Sequence, residues 1–209
     1  VDLDKICSKT SSNQTLKGLL FGVKDIINVD GYPTRCGSLL PLELFKGLQA
    51  SCVSKLLNAG AIFAGKTVTA EFAVSDPGET RNPRNLSYTP GGSSSGSAAS
   101  VAAGFCDIAI GTQTSGSVIR PAGYCGTIGY KPSFGRISRD GVLLFSNSMD
   151  HIGIFAKDLN LLEKTLPLLV NSWSFWKPKI NRNISIGVPV GSYMNLSKPA
   201  TLHQFFNTV

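Results

Sequence analysis

From Thr89 to Ser100 the chain reads TPGGSSSGSAAS, and a second block beginning at Gly111, GTQTSGSVIRPAG, has the same poverty of side-chain volume. Between the two lies DIAIG, Asp107 to Gly111, an apolar run that predicts a buried strand. The alanine-rich segment Gly96 to Phe105 before it predicts a closely packed helix. Taken alone, the first block has the composition of a flexible spacer. Its glycines, Gly91, Gly92 and Gly96, also allow tight backbone approach and unusual dihedrals around Ser93 to Ser95. After the strand, Thr114-Ser115-Gly116-Ser117 would turn sharply and aim backbone N–H groups at a common point, which is how an oxyanion hole is built.

The rest of the chain sets these blocks in an alternation of helices and strands. LLFGV, Leu19 to Val23, reads as a buried strand that runs into Lys24. Ser51 to Asn58 carries Val53, Leu56 and Leu57 at helical spacing, with Gly60 placed to end the helix. AIFA, Ala61 to Ala64, predicts a short buried strand, and a further short segment, Glu71 to Val74, follows. HIGIFA, 151–156, predicts a strand, and a helix from Leu159 to Val170 is capped by Asp158 and bent or shortened by Pro167. ISIGVPV, 184–190, predicts one more strand, and the chain reaches Val209 in the next helix. Helix and strand in repetition argue for an α/β fold with a substantially parallel sheet.

Composition narrows the function classes. At 209 residues with 42% hydrophobic and 16% charged residues, the chain has material for one sizeable core. The formal charge of +7 is spread thinly, which favours a solvated basic surface over a nucleic-acid footprint. Five cysteines, odd in number and without CxxC spacing, read as scattered thiols, not as a disulfide framework or a zinc site. No apolar run approaches the ~18 residues of a membrane helix, and the N-terminus lacks the apolar core of a signal peptide. The expectation is a cytoplasmic protein.

Two motifs compete for the chemistry. GAIFAGKT, Gly60 to Thr67, matches the formal pattern of a phosphate-binding loop, but that mechanism needs a flexible loop between a strand and a helix. Here an apolar strand fills the intervening positions, so Lys66 and Thr67 are expected to leave the end of a strand. The other candidate is Lys24 with the two small-residue blocks. Serine needs a base to become a nucleophile, and the histidines, His151 and His203, do not sit in a Gly/Ser-rich setting. A lysine serves instead if burial keeps its amine neutral near pH 7, and Lys24, emerging from an apolar strand, is the residue best placed for that.

GVKD around Lys24, PGGSSSGSAA at 90–99 and GTQTSGSVIRPAGYCGTIGYKPS at 111–133 occur in the order of the amidase signature family of Ser-cisSer-Lys hydrolases, which the chain resembles from about Gly18 to Ile154. ISIGVPV looks like the family's next block. The resemblance implies a three-layer α/β/α fold around a mixed, largely parallel sheet. It implies Ser117 as acyl nucleophile, Ser93, in a cis peptide, as bridging hydroxyl, and Lys24 as base. Thr114, Ser115, Gly116 and Ser117 would form the oxyanion hole, with no metal or organic cofactor. Ser94, Ser95 and Ser97 are expected as packing or hydrogen-bonding neighbours, Ser94 being the one of them best placed to orient the relay, and Arg120 either holds the turn through a salt bridge or touches substrate. Cys125 is expected as a buried thiol, and Asp150 with His151 as a loop pair. Two positions depart from the family's frequent residues: Gln113 where Asp is common, and Ser115 where Gly is common.

The resemblance covers the N-terminal, catalytic half of the family's length, so residues 1–209 are expected as a single catalytic domain incomplete at both ends. That leads to an expectation of weak activity alone and of a homodimer or complementing polypeptide. The implied reaction is hydrolysis of a small carboxamide. The alternatives are the A subunit of a glutamyl-tRNA(Gln) amidotransferase, through which alone a nucleic-acid partner enters, and an inactive amidase-like fragment. GTQT favours the stand-alone amidase.

Overall fold

The computed structural model describes residues 14–76 and 78–174 of an N-terminal unit and, in a C-terminal unit, residues 187, 191, 192, 194 and 197–208. In the N-terminal unit the elements run β1 (Leu20–Lys24), α1 (Ser51–Asn58), β2 (Ile62–Thr67), α2 (Ser95–Ala102), β3 (Ile108–Gln113), α3 (Ile119–Cys125), β4 (Ile128–Tyr130), β5 (His151–Ala156) and α4 (Leu159–Leu169). The five strands form one sheet in the order β2-β1-β3-β5-β4. β1 pairs parallel with β2 and β3, and β5 pairs antiparallel with β3 and β4. The sheet is mixed as expected, with its parallel part confined to the three strands that precede and include β3.

Alternation along the strands divides the apolar residues between two faces. Ile108, Ile110, Ile152 and Ile154 join Phe21 and Val23 in one core, which α1 completes with Val53 and Leu56 and α4 with Leu162, Leu166 and Leu169. Ala109 and Phe155 point the other way, into a second core with Ala98 and Val101 of α2 and Ala122 and Cys125 of α3. The result is three layers, α1 and α4 on one side of the sheet and α2 and α3 on the other. Fully burying a side chain such as Leu56 or Ile110 is worth roughly 1.5–3 kcal/mol, so the first, larger core carries most of the stability.

Helix α4 begins where the Asp158 carboxylate accepts from Leu161 N at 2.8 Å, and it runs through Pro167 to Leu169. Three expected boundaries shift. β2 extends through Gly65, Lys66 and Thr67, because parallel pairing with β1 continues to the Lys24–Thr67 register. The 71–73 segment is a short 3-10 turn. α2 stops at Ala102, followed by the left-handed Gly104. The predicted strand at 184–190 lies outside the described residues apart from Gly187. In the C-terminal unit the expected last helix is present as α5 (Pro199–Thr208).

Small residues let α2 lie close to its neighbours. A Cβ on Gly96 would stand 2.3 Å from Val68 N, and one on Gly111 would stand 2.7 Å from Ser94 Oγ. Both are closer than any real contact, and at Gly96 the obstacle is backbone that cannot rotate away. In an exposed helix a Gly→Ala change stabilises by ~1 kcal/mol. Gly96→Ala is expected to reverse that sign and destabilise by ~1–3 kcal/mol through overpacking, measured as a fall in the midpoint of denaturant unfolding.

Candidate active site

β1 and β3 are adjacent and parallel, with Val23 opposite Ile110, so Lys24 and the Thr112–Gln113 end of β3 emerge at the same edge. In open α/β sheets ligand sites lie outside the carboxyl ends of such strands. Lys24 is fully buried there, and its Nζ donates to Ser93 Oγ and to Thr112 Oγ1, each at 2.8 Å. Burial lowers its pKa from 10.5 to about 7, against a smaller opposing pull from the Asp150 carboxylate. The neighbouring carboxylate in the chain, Asp25, turns away and pairs with Lys66 at 2.7 Å. Lys66 and Thr67 thus lie inside a strand, with Lys66 engaged by Asp25, and the phosphate-loop pattern has no loop behind it.

Ser93 follows a cis Gly92–Ser93 peptide bond and is buried at the foot of α2. Two contacts fix this segment from outside. Arg120 donates through Nε and Nη2 to the Gly92 carbonyl, at 3.1 and 2.7 Å, and Ala70 N donates to the Ser93 carbonyl at 2.9 Å. Arg120 therefore holds the segment ahead of Ser93 by hydrogen bonds to a carbonyl, where a salt bridge or a substrate contact was expected. Ser94 is a hydrogen-bonding neighbour of the lysine's partner. Its hydroxyl donates to Thr112 O and accepts from Thr112 N. It reaches the lysine only through Thr112, whose own side chain is the partner of Lys24 that sequence reasoning missed.

The turn after β3 is built around Gln113, whose side chain is buried. Its Oε1 accepts from Val118 N at 2.8 Å and Ile119 N at 3.0 Å, and its Nε2 donates to Ser115 O at 3.0 Å. Thr114 Oγ1 donates to the buried Asp150 carboxylate at 2.5 Å, and Asp150 also accepts from Phe145 N and Ser146 N. Asp150 and His151 are accordingly not a loop pair: the carboxylate braces the turn, while His151 opens β5 and its Nδ1 lies 3.3 Å from Gln113 O. Among the described residues, the backbone N–H groups of Ser115, Gly116 and Ser117 donate no hydrogen bond within the chain. Ser117 is buried in the turn, and its hydroxyl is bonded neither to Ser93 nor to another described residue.

The structure thus brings Lys24 and Ser93 together and sets Ser117 on the turn that follows β3, without a formed Ser93–Ser117 bond. Thr112, Gln113 and Asp150 are the polar residues whose roles the sequence did not disclose; the available signal was a polar side chain at the end of an apolar strand, the same signal that singled out Lys24. Cys125 is a buried thiol as expected, its pKa pushed up to about 11 by burial. A cavity of about 480 Å³ lies elsewhere, lined among others by Asn28, Tyr32, Glu43 and Lys46. Among the described residues no group of three His, Cys, Asp or Glu side chains could hold a metal ion, and no helix is long and apolar enough to cross a membrane.

A three-layer α/β fold with a serine–lysine pair at the carboxyl ends of its parallel strands defines the class. Within it, the family model for amidases matches residues 2–192, and the chain belongs to that family. The A subunit of the glutamyl-tRNA(Gln) amidotransferase of Salinibacter ruber is 49% identical over 144 residues, covering 66% of this chain and 28% of the relative. Its counterpart of the same name from Prochlorococcus marinus is 36% identical over 203 residues, covering 94% of this chain and 40% of the relative. Among solved structures, the native peptide amidase from Stenotrophomonas maltophilia matches with a TM-score of 0.69 at 37% identity, over 75% of this chain and 34% of that one. The A subunit of the glutamyl-tRNA(Gln) amidotransferase of Thermotoga maritima matches with a TM-score of 0.70 at 36% identity, over 80% and 38%. The chain spans well under half the length of each of these proteins.

The lowered pKa of Lys24 links folding to pH. Between about 7 and 10.5 the unfolded lysine holds a proton that the folded one has lost, so the unfolded state binds more protons and stability rises with pH across that window. Below about 7 the full cost of burying the ammonium is present. Lys24→Met is expected to flatten this rise, read as the difference between wild-type and variant unfolding free energies from pH 6 to pH 10.

Proposed function

We propose that the chain carries the catalytic centre of an amide hydrolase in which Ser117 forms an acyl-enzyme on a small carboxamide. The observation that carries this reading is the buried Lys24 amine, 2.8 Å from Ser93 Oγ with a pKa of about 7. At that value much of the lysine is neutral at physiological pH, and a neutral amine can accept a proton from the Ser93 hydroxyl over the same distance. Ser93 in turn takes the proton of Ser117 as the Ser117 oxygen bonds to the carbonyl carbon. The negative charge on the former carbonyl oxygen falls to the unengaged N–H groups of Ser115, Gly116 and Ser117, with Thr114 ahead of them. As the C–N bond breaks, the proton returns through Ser93 to the leaving nitrogen, and ammonia or an amine departs. Water then attacks the acyl carbon, the carboxylate leaves and the Ser117 hydroxyl is restored. The Ser93–Ser117 bond of this relay forms when substrate fills the site, since catalytic hydrogen bonds commonly tighten only in the complex. No cofactor takes part in these steps.

Residues 1–209 are read as the N-terminal catalytic part of one amidase domain, completed by a further polypeptide segment or by association. A second reading keeps the chemistry and changes the acceptor: the chain acts in a glutamyl-tRNA(Gln) amidotransferase, releasing ammonia from glutamine for a tRNA-bound acceptor. The names of the relatives at 49% and 36% identity favour it. Ammonia release from glutamine compared with simple aliphatic amides separates the two readings; efficient turnover of the latter alone supports the stand-alone amidase.

A fluorophosphonate probe tests the acyl-enzyme chemistry. Labelling is expected on Ser117, abolished in Ser117→Ala and slowed at least a hundredfold in Lys24→Ala, the size of effect general-base catalysis supplies. Because the base must be neutral, the labelling rate is expected to rise with pH around a midpoint near the lysine value of about 7. Labelling that survives Ser117→Ala, or a rate independent of pH from 5 to 9, contradicts the mechanism.

A further inference from the structure

We infer that Lys66 is a positioning residue for the proposed base: its ammonium fixes the Asp25 carboxylate on the sheet face away from Ser93 and cancels a negative charge that would otherwise hold a proton on Lys24. The inference rests on the acyl-enzyme reading above and deepens it. In the parallel pairing of β1 with β2, Val23 lies opposite Lys66 and Lys24 opposite Thr67, and aligned residues of neighbouring strands point to the same face. Thr67 reaches Ser97 of α2, on the side where Lys24 meets Ser93. Lys66 therefore projects to the other side with Val23, where α1 and α4 pack. Asp25 continues the ladder, its N–H donating to Thr67 O at 3.0 Å, so by alternation its side chain leaves on the Lys66 face as well. There the two charges meet at 2.7 Å, with their side chains only 13% and 15% exposed, so water screens them little.

Further bonds hold each member in place. Asp25 Oδ2 accepts from Arg35 N at 3.1 Å, and Lys66 Nζ donates to Thr34 Oγ1 at 3.0 Å and to Pro33 O at 3.4 Å. Asp25 follows the base directly in the chain, so its charge stays roughly 10 Å from the Lys24 amine even with the two side chains on opposite faces. A lone charge in a mostly buried setting still acts over that distance, whereas an ion pair acts only as a dipole. The other groups around Lys24 leave this pair room to matter. α2 and β3 carry no titratable side chain. From the start of β5, Asp150 pulls on the lysine while its oxygens bind Thr114, Phe145 N and Ser146 N, and His151 lies against Gln113 O. Arg120 is bound to Gly92 O. Cys36 faces the ion pair, but burial pushes its thiol up to about 11, so it is neutral. The lysine of GAIFAGKT thus acts on the charge of the base and not on a phosphate.

The test follows fluorophosphonate labelling of Ser117 against pH in the full-length protein for Lys66→Met, Asp25→Asn and the double variant. Lys66→Met leaves the Asp25 carboxylate unpaired but still bonded to Arg35 N, which favours its charged form. The labelling midpoint is expected to rise by roughly half to one pH unit, so that labelling is about two- to fivefold slower at pH 7 and matches wild type at about pH 9.5. Asp25→Asn leaves the Lys66 ammonium unopposed, and the midpoint is expected to fall by a similar amount, with labelling about two- to fivefold faster at pH 6. The double variant removes both charges and returns the midpoint to that of the wild type. Shifts of opposite sign that cancel are the signature of charge; a merely structural contact would slow both single variants by the same factor at every pH. Midpoints are independent of the folded fraction, and where Lys66→Met fails to fold, the downward shift in Asp25→Asn and its return in the double variant decide. Wild-type midpoints in the folded single variants, or shifts of the same sign, overturn the role of Lys66 while leaving the acyl-enzyme reading in place. A wild-type protein whose Ser117 is not labelled overturns that underlying reading, and with it this one.

Discussion

The arrangement at the strand ends depends on one buried amine. Lys24 has no exposed surface, and its Nζ finds two hydroxyl partners, Ser93 and Thr112, each at 2.8 Å. Hydroxyls solvate an ammonium poorly compared with water or a carboxylate, so desolvation dominates and the pKa falls to about 7. The carboxylates that could oppose this are held off. Asp25 is occupied by Lys66, and Asp150 spends its oxygens on Thr114 and on the backbone at 145–146. A lysine paired directly with either would stay charged and could not act as a base.

Keeping the amine in that state requires walls without bulk. Gly96 and Gly111 let α2 press against Val68 and β3 closely enough for Ser93 and Ser94 to reach the sheet. The same closeness explains why so many polar atoms near Lys24 are backbone or short hydroxyls: Ser94 bonds the Thr112 main chain, and Ser97 bonds Ile110 O and Thr67 Oγ1. The buried hydroxyls of Ser94 and Ser97 are thus satisfied at short range, and the small-residue helix lies close against the strand ends.

Much of this was legible in the sequence, and for physical reasons. Strand β1 announced itself through LLFGV, and α1 and α4 through leucine spacing, because a face buried against a sheet must be continuous. Lys24 stood out as a charge following an apolar strand. The Ser93 and Ser117 assignments came through the ordered blocks of a family, not through composition, since Gly/Ser-rich text describes a spacer equally well. What stayed hidden was set by three-dimensional partnership. α3, with Pro121 and Gly123 in its seven residues, was not among the expected helices; Gln113 supplies its missing cap from the preceding strand. β2 outran its apolar stretch because β1 continued to pair with it. Asp150 looked like a neighbour of His151, whereas one of its oxygens lies on the Thr114 turn far back in the sequence and the other on the nearby backbone at 145–146.

The proposed chemistry requires that the Lys24 amine be neutral near physiological pH in the folded chain. Titration of the Lys24 side chain by NMR, with selectively labelled lysine assigned through Lys24→Arg, measures this directly. The expected midpoint is close to 7, well separated from the other lysines. A Lys24 midpoint near the ordinary 10.5 would mean a permanently charged amine at the strand ends, and would contradict both the proposed base and the route of the proton.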